Sequence, residues 1–313
     1  MVKYKFKETK KIRELLIKIE ALKIVFDQIK VLPGIEQNIQ RQSLLKSALY
    51  SARIEGIFSK SEKKLEVSNL LSAYKYIYSV KSPKKLSLNF IKKLHELVMK
   101  KLSARPGSWR DEAWAIFNQA GVAVYLAPPA QDLPDLMSEF LRISNNLKWE
   151  GPIKAGIIQF LFEKIHPFAD GNGRVGRLLS TAVMNKGGFG FRGLVSVEEI
   201  IDKNRETYYR CLEPSNDTTF FVEFFLESFI KQAEQIFIKL NQKTQEVPED
   251  SLLPRRREIL EIIRDHPYSS FDFISRRFSA INPKTLHNDL NKLQKHGLII
   301  KAGKTRAATY KAK

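Results

Sequence analysis

The sequence predicts a mainly α protein: a helical bundle carrying one small β-hairpin, then a smaller C-terminal module of three helices and a second hairpin. Three observations predict it. Apolar residues recur at helical spacing through most of the first 240 residues. Between residues 104 and 129 that period gives way to short strand-like runs among glycines and prolines. The polar segment NQKTQEVPEDS, residues 241–251, then separates a stretch of different character. A length of 313 residues allows two domains, and 43% hydrophobic with 28% charged residues argues against wholesale disorder.

Residues 11–32 place Ile12, Leu15, Leu16, Ile19, Leu22, Val25 and Phe26 on one helical face, and Pro33-Gly34 stops the run. A second helix is expected from about Ile35, through Leu44, Leu45, Ala48 and Leu49, to an end near Gly56. Pro83 breaks the pattern, and Leu88 to Leu102 resumes it. In the segment 104–129, AWAIF and VAVYL flank NQAG, which reads as a two-stranded hairpin. Helical spacing returns over Leu133–Trp149. After Gly151-Pro152, Ile153–Ile165 is apolar nearly all round and so marks a buried central helix. Further helices are expected over Arg174–Lys186, Ser196–Leu212 and Thr218–Leu240, with no internal repeat.

The 53 Lys and Arg outnumber the 34 Asp and Glu, a net charge of +19 that suits polyanionic partners, nucleotide phosphates or nucleic acid, without choosing between them. The single Cys211 excludes an intrachain disulfide framework and a Cys-rich zinc module. No stretch reads as a membrane span, because the longest charge-free run, Ala113–Gln131, contains Asn118, Gly121 and Pro128-Pro129. The N-terminus MVKYKFKETKKIRELL lacks the apolar core of a secretory signal, so a cytoplasmic protein is expected.

The chemistry concentrates in His166-Pro167-Phe168-Ala169-Asp170-Gly171-Asn172-Gly173-Arg174-Val175-Gly176-Arg177. A Gly-Asn-Gly turn at a helix start leaves backbone N–H groups free at the positive end of the dipole, which makes an anion site. Arg174 and Arg177, at i and i+3, add two guanidinium forks suited to a polyphosphate. Asp170 beside such an anion implies an intervening Mg²⁺. His166 can serve as a general base near neutral pH. There is no GxxxxGK[ST] phosphate loop and no EF-hand pattern of acids.

This stretch resembles the HPFx[DE]GNGRxxR signature of the Fic family, and every fixed position matches. The resemblance extends from about residue 40 to residue 230. It implies a Fic-like helical bundle and Mg²⁺-dependent transfer of AMP from ATP to a Ser, Thr or Tyr hydroxyl of a target protein. His166 would deprotonate that hydroxyl and Asp170 would hold Mg²⁺. Gly171, Asn172 and Gly173 would support the transferred phosphorus. Arg174 and Arg177 would bind the β/γ end, with Val175 and Gly176 in the same ATP-binding run. The hairpin 112–127 resembles the family's flap, which takes a target as an added strand; its Val122, Ala123, Val124 and Tyr125 fall on the ATP side. Tyr208, Tyr209 and Asn216 resemble the adenine-side residues. Ser51-Ala52-Arg53-Ile54-Glu55-Gly56 resembles the [ST]xxxE[GN] inhibitory motif. Ser51, Glu55 and Gly56 are its fixed positions, and Glu55 would pair with Arg177 and occupy the charge that ATP needs. A homodimer is expected by the same likeness. The corresponding domains are 1–100 with the inhibitory helix, 101–240 as catalytic core, the linker 241–251, and 252–313.

In the last of these, Asn282 offers an N-cap, Pro283 a first helical position, and Leu286, Leu290 and Leu293 a buried stripe. Helix, helix, helix, hairpin resembles a winged helix. Residues 250–313 hold fourteen Lys and Arg against six Asp and Glu. Lys284, Thr285, His287, Asn288, Asn291 and Lys292 lie away from the leucine stripe, and with Lys301, Lys304 and Arg306 they could engage DNA; such modules also dock proteins. His266, His287 and His296 form no ligand set. Two other functions stay open: a DNA-binding regulator using the Fic-like domain as a nucleotide sensor, and a deAMPylase in which Glu55 orients water.

Overall fold

The structure, a computed structural model, describes residues 4–29, 31, 33–56, 60–83, 85–117, 123–213, 215–242, 252–279, 281–303 and 308–313, the side chains at 33, 60–63, 116, 117, 123, 124 and 242 excepted. The turn NQAG, Val122, most of the 241–251 linker, Lys304 and Arg306 lie outside the described residues. The chain divides into two compact units, residues 1–30 with 39–239 and residues 31–38 with 240–313.

The larger unit is built of helices. Helix α1 (Lys10–Gln28) is capped by Thr9, whose hydroxyl accepts from the Ile12 N–H, and buries Ile12, Leu15, Leu16, Ile19 and Phe26. Helix α2 (Pro33–Ile54) starts at the proline expected to end its predecessor, since Pro is well placed at a first helical position. It closes at Gly56, whose φ of 77° needs a residue without a Cβ. Helix α3 (Lys60–Ile77) has no counterpart among the sequence expectations. Its buried face is Glu66, Asn69, Leu70, Ala73, Tyr74 and Ile77, perfect helical spacing in which two polar residues and a tyrosine dilute the apolar signal. Helix α4 (Leu88–Val98) begins at the Ser87 cap and stops four residues short of the expected Leu102, where Asn69 takes the carbonyls of Val98 and Lys100.

Strands β1 (Ala115–Phe117) and β2 (Ala123–Leu126) pair antiparallel, Ala115 opposite Leu126 and Ile116 opposite Tyr125, with an irregularity after Ile116. Helix α5 (Leu133–Asn146) follows. Helix α6 (Gly151–Ile165) includes the Gly151-Pro152 pair that the sequence suggested as a break, because Pro152 occupies the first turn. It packs along helix α7 (Asn172–Lys186), and both are buried almost throughout. The single helix expected over 196–212 is two, α8 (Glu198–Lys203) and α9 (Arg205–Cys211), separated at Asn204, whose side chain turns back onto the Ile200 carbonyl. Helix α10 (Thr219–Gln242) completes the unit.

The smaller unit contains α11 (Pro254–Asp265), β3 (Ser269–Ser270), α12 (Phe271–Arg276), α13 (Pro283–Lys295), β4 (Ile299–Ala302) and β5 (Thr309–Ala312). The strands form an antiparallel sheet in the order β3-β5-β4, so β3 is a strand the sequence did not announce. Ile259, Leu260, Ile263, Ile274, Leu286, Leu290, Leu293, Ile299 and Tyr310 make its core. Asn282 caps α13 through the Lys284 N–H, with Pro283 in the first turn.

Candidate active site

The site forms where α6 hands over to α7. Pro167 prevents α6 from continuing, and His166 turns into the left-handed region at φ 50°. The buried Asn172 carboxamide then clamps the loop, donating to the Phe168 carbonyl at 2.7 Å and accepting from the Phe168 N–H at 2.9 Å. Gly171 has φ 82°, and a Cβ there would stand 2.9 Å from Met99 Sδ. Helix α7 begins without a side-chain cap, so the N–H groups of its first turn are open to an anion.

His166 is stacked under the Trp114 indole, ring centroids 3.5 Å apart. Its Nδ1 lies 3.3 Å from the Glu163 carbonyl, a geometry that puts the proton on Nδ1 and the lone pair on Nε2. Burial pushes its pKa down to about 4, below the near-neutral value the sequence suggested, so the ring is neutral at pH 7. Arg110 fixes the surroundings by donating to the carbonyls of His166, Glu112 and Pro128.

Asp170 is exposed, and its Oδ1 accepts from the Gly171 N–H at 2.6 Å and from Arg174 Nη2 at 2.9 Å. Its carbonyl accepts from His95 Nε2 at 3.0 Å, and His95 Nδ1 accepts from the Gly107 N–H at 2.8 Å, which fixes one neutral tautomer. Burial holds the His95 pKa down at about 4, and the ring lies flat on Phe168.

The two arginines separate. Arg177 is buried and reaches α2: Nε donates to Ser51 Oγ at 3.0 Å, Nη2 to the Ser51 carbonyl at 3.0 Å and to Glu55 Oε1 at 2.7 Å. Glu55 is 24% exposed at its side chain and lies over the first turn of α7, where a Cβ on Gly173 would collide with Oε1. Arg174, also buried, donates to Glu66 Oε1 of α3 at 2.6 Å and to Asp170. Here it pairs with these carboxylates and not with the cavity that Arg177 lines.

That cavity, about 850 Å³, is walled by Glu55, Trp114, Tyr125, Glu163, His166, Asp170, Gly171, Asn172, Gly173, Arg177, Tyr208 and Tyr209 among others. Tyr208 is buried with its hydroxyl 3.1 Å from Gln159 Nε2, whereas Tyr209 is half exposed and donates to the Ile54 carbonyl at 3.0 Å. Tyr125 donates to the Lys164 carbonyl, and Ala123 and Val124 are described only as strand backbone. Val175 is in the core and Gly176 lies against Glu163, so neither faces the cavity. Asn216 is exposed and outside the residues that wall the cavity, its carbonyl engaged by the Lys5 N–H. The Asn172 side chain uses one N–H and one lone pair on Phe168. Trp114, His95, Arg110, Glu66 and Glu163 carry no motif signal; their roles come from partners 50 or more residues away, or from one turn earlier on α6.

Residues 85–184 match the model of the Fic/DOC family. A probable protein adenylyltransferase of Aquifex aeolicus is 34% identical over 113 residues, 36% of this chain and 32% of that protein. The protein adenylyltransferase Fic of Drosophila erecta is 30% identical over 137 residues, 42% of this chain and 26% of that protein. The chain thus spans about a third or less of the curated relatives it matches. A crystal structure of a Fic family protein from Desulfovibrio desulfuricans G20 aligns with 98% of this chain and 97% of its own, at TM-score 0.68 and 22% identity. Fic-1 of C. elegans aligns with 74% of this chain and 73% of its own, at TM-score 0.61 and 18% identity. These likenesses speak for the fold.

Proposed function

We propose that this chain, whose residues 85–184 match the Fic/DOC family model, transfers AMP from ATP to a Ser, Thr or Tyr hydroxyl of a target protein, with Glu55 holding the reaction down. The observation that carries this reading is one cavity with a neutral His166, an uncapped helix start, and an Arg177 already engaged by a carboxylate. His166 Nε2 accepts the hydroxyl proton, the oxygen attacks the α-phosphorus, and the bond to the β-phosphate breaks with pyrophosphate leaving. The open amides of the first turn of α7 take up charge developing on the transferred group.

Asp170 is the group that would hold Mg²⁺. Among the described residues no cluster of three His, Cys, Asp or Glu forms a metal cage. A single carboxylate suits Mg²⁺ that completes its shell with phosphates and water, and Oδ2 is the oxygen not used by Gly171 and Arg174. Bound there, the ion neutralises phosphate charge. Arg177 would receive the terminal phosphates only after Glu55 leaves. A contact of this kind is worth ~1–3 kcal/mol, enough to suppress the rate about five- to hundredfold. The test incubates wild type, E55G and H166A with Mg²⁺ and α-labelled ATP and reads AMP-mass adducts. Adducts that rise in E55G and vanish in H166A support the reading; an unlabelled set, even with cell lysate as target, removes it.

A second reading concerns the smaller unit, taken as a winged helix that binds DNA. It is favoured by a groove of about 710 Å³ lined by Arg255, Arg256, Thr285, Asn288, Asn291 and Lys292 among others. The buried Asp289 holds Arg255 Nε at 2.6 Å and Arg256 Nε at 2.7 Å. Lys284, His287, Asn288, Asn291 and Lys292 are exposed and Thr285 is half-buried, while His287 stacks flat on Phe271.

A further inference from the structure

Among the acids of the cavity wall that the proposed reaction does not use, Glu163 has a buried carboxyl oxygen. Glu163 sits on α6, one turn before His166, and its carboxyl oxygen Oε1 is buried without a hydrogen-bond partner. It lies against the backbone of α7 beside Arg177, and Gly176 is what admits it, since a Cβ there would stand 2.6 Å from Oε1. The titratable groups that act on it or feel its charge are Glu55 from the turn that closes α2, Arg177 from α7, Tyr208 and Tyr209 from α9, and Tyr125 from β2. Burial holds all three tyrosines well above their ordinary value, so their hydroxyls stay neutral near pH 7. Two carboxyls thus bear on one guanidinium by charge, and Glu55 holds the hydrogen bond.

We propose that Glu163 is a proton-coupled reserve partner of Arg177, neutral while an anion engages the guanidinium and ionised when that anion leaves. The anion is Glu55 in the resting protein; its replacement by a triphosphate rests on the AMP-transfer reading above. Burial, helped by the charge of Glu55 and opposed by Arg177, pushes the Glu163 pKa up to about 8 in the docked state. Losing Glu55 removes one cause of that rise and leaves Arg177 unopposed, so Glu163 gives up its proton. Arg177 then keeps a counter-charge in the interval between release of Glu55 and arrival of phosphate. Glu163 is thus a positioning residue that acts through Arg177.

The sign of the linkage gives a test that needs no catalysis. Between the ordinary glutamate value of 4.5 and about 8, the unfolded chain ionises Glu163 and the folded chain does not, so stability falls as pH rises across that window. Unfolding is measured on the full chain for wild type, E163Q, E55Q and the double variant from pH 5 to 9. Wild type should lose stability relative to E163Q with rising pH and level off near pH 8, and the E55Q background should move the levelling point to lower pH. Parallel curves for wild type and E163Q overturn the proposal, as does a levelling point unmoved by E55Q. A second arm titrates Mg²⁺-ATP into E55G in buffers of different ionisation enthalpy at pH 7.5. Uptake of a fraction of a proton, lost in E55G/E163Q, supports the exchange, and binding without uptake overturns it. Absence of ATP binding counts against AMP transfer instead, and the unfolding arm still decides the pairing with Glu55.

Discussion

Arg174 and Arg177 are three residues apart on one helix, yet the fold gives them different partners. Arg177 meets the end of α2 through Ser51 and Glu55, whereas Arg174 meets Glu66 on α3. Spacing on α7 alone put both on one anion, because helical spacing does not say which neighbouring helix each side chain meets. Arg174 then acts as a brace: it holds Asp170 from below and needs Glu66 to offset its own burial. Replacing Glu66 with Gln leaves a guanidinium 2% exposed with only the exposed Asp170 as a charge partner, and should cost about 3 kcal/mol in urea unfolding. A loss within the roughly 0.5 kcal/mol usual for surface changes would show that Arg174 is not charge-balanced by Glu66. The loop itself was legible, since Gly171, Asn172 and Gly173 have local reasons to be where they are. Glu66 and His95 were not, because each acts on the loop from a distant part of the chain.

At the scale of elements, the hairpin does more than pair its own two strands. It supplies Trp114, which covers His166, and Arg110 ties the carbonyls at 112 and 128 to that of His166. Covering the imidazole keeps it neutral but also lowers its basicity, a compromise for the general base proposed above. In the E55G background W114A should readmit water and raise the His166 pKa from about 4 toward the ordinary 6.5. The acid limb of the rate profile then moves up: W114A/E55G loses activity as pH falls through about 6, whereas E55G holds its rate there. Superimposable acid limbs would mean that Trp114 does not set the pKa. The sequence announced the hairpin through its glycines and prolines, and most of the helices through their periods. It hid α3, whose inward face carries Glu66, Asn69 and Tyr74, and it ran α8 into α9 because the break at Asn204 depends on one side-chain hydrogen bond. Polar groups buried for a purpose are what periodicity reads as surface.

For the whole molecule, the excess positive charge is unevenly employed. In the larger unit, Arg174 and Arg177 are consumed by carboxylates inside the bundle and Arg110 by carbonyls. In the smaller unit the buried Asp289 aligns two arginines beside exposed Lys292, and residues 250–313 keep eight more cationic than acidic side chains. If that groove takes a DNA backbone, the full chain should bind duplex DNA with a steep salt dependence. Neutralising four phosphates would lose about a hundredfold in affinity between roughly 50 and 200 mM salt. K284A and K292A should then weaken binding on every sequence and flatten the salt slope by about one unit each, while N288A or N291A should change which sequence is preferred. Anisotropy with labelled duplexes reads all of these. Affinity that ignores both salt and the lysine changes would turn the groove toward a protein partner. Asp289 makes the distinction sharper. D289N frees both arginine forks and adds net positive charge, so non-specific DNA binding should hold or rise, whereas a protein partner that needs the forks aligned should be lost.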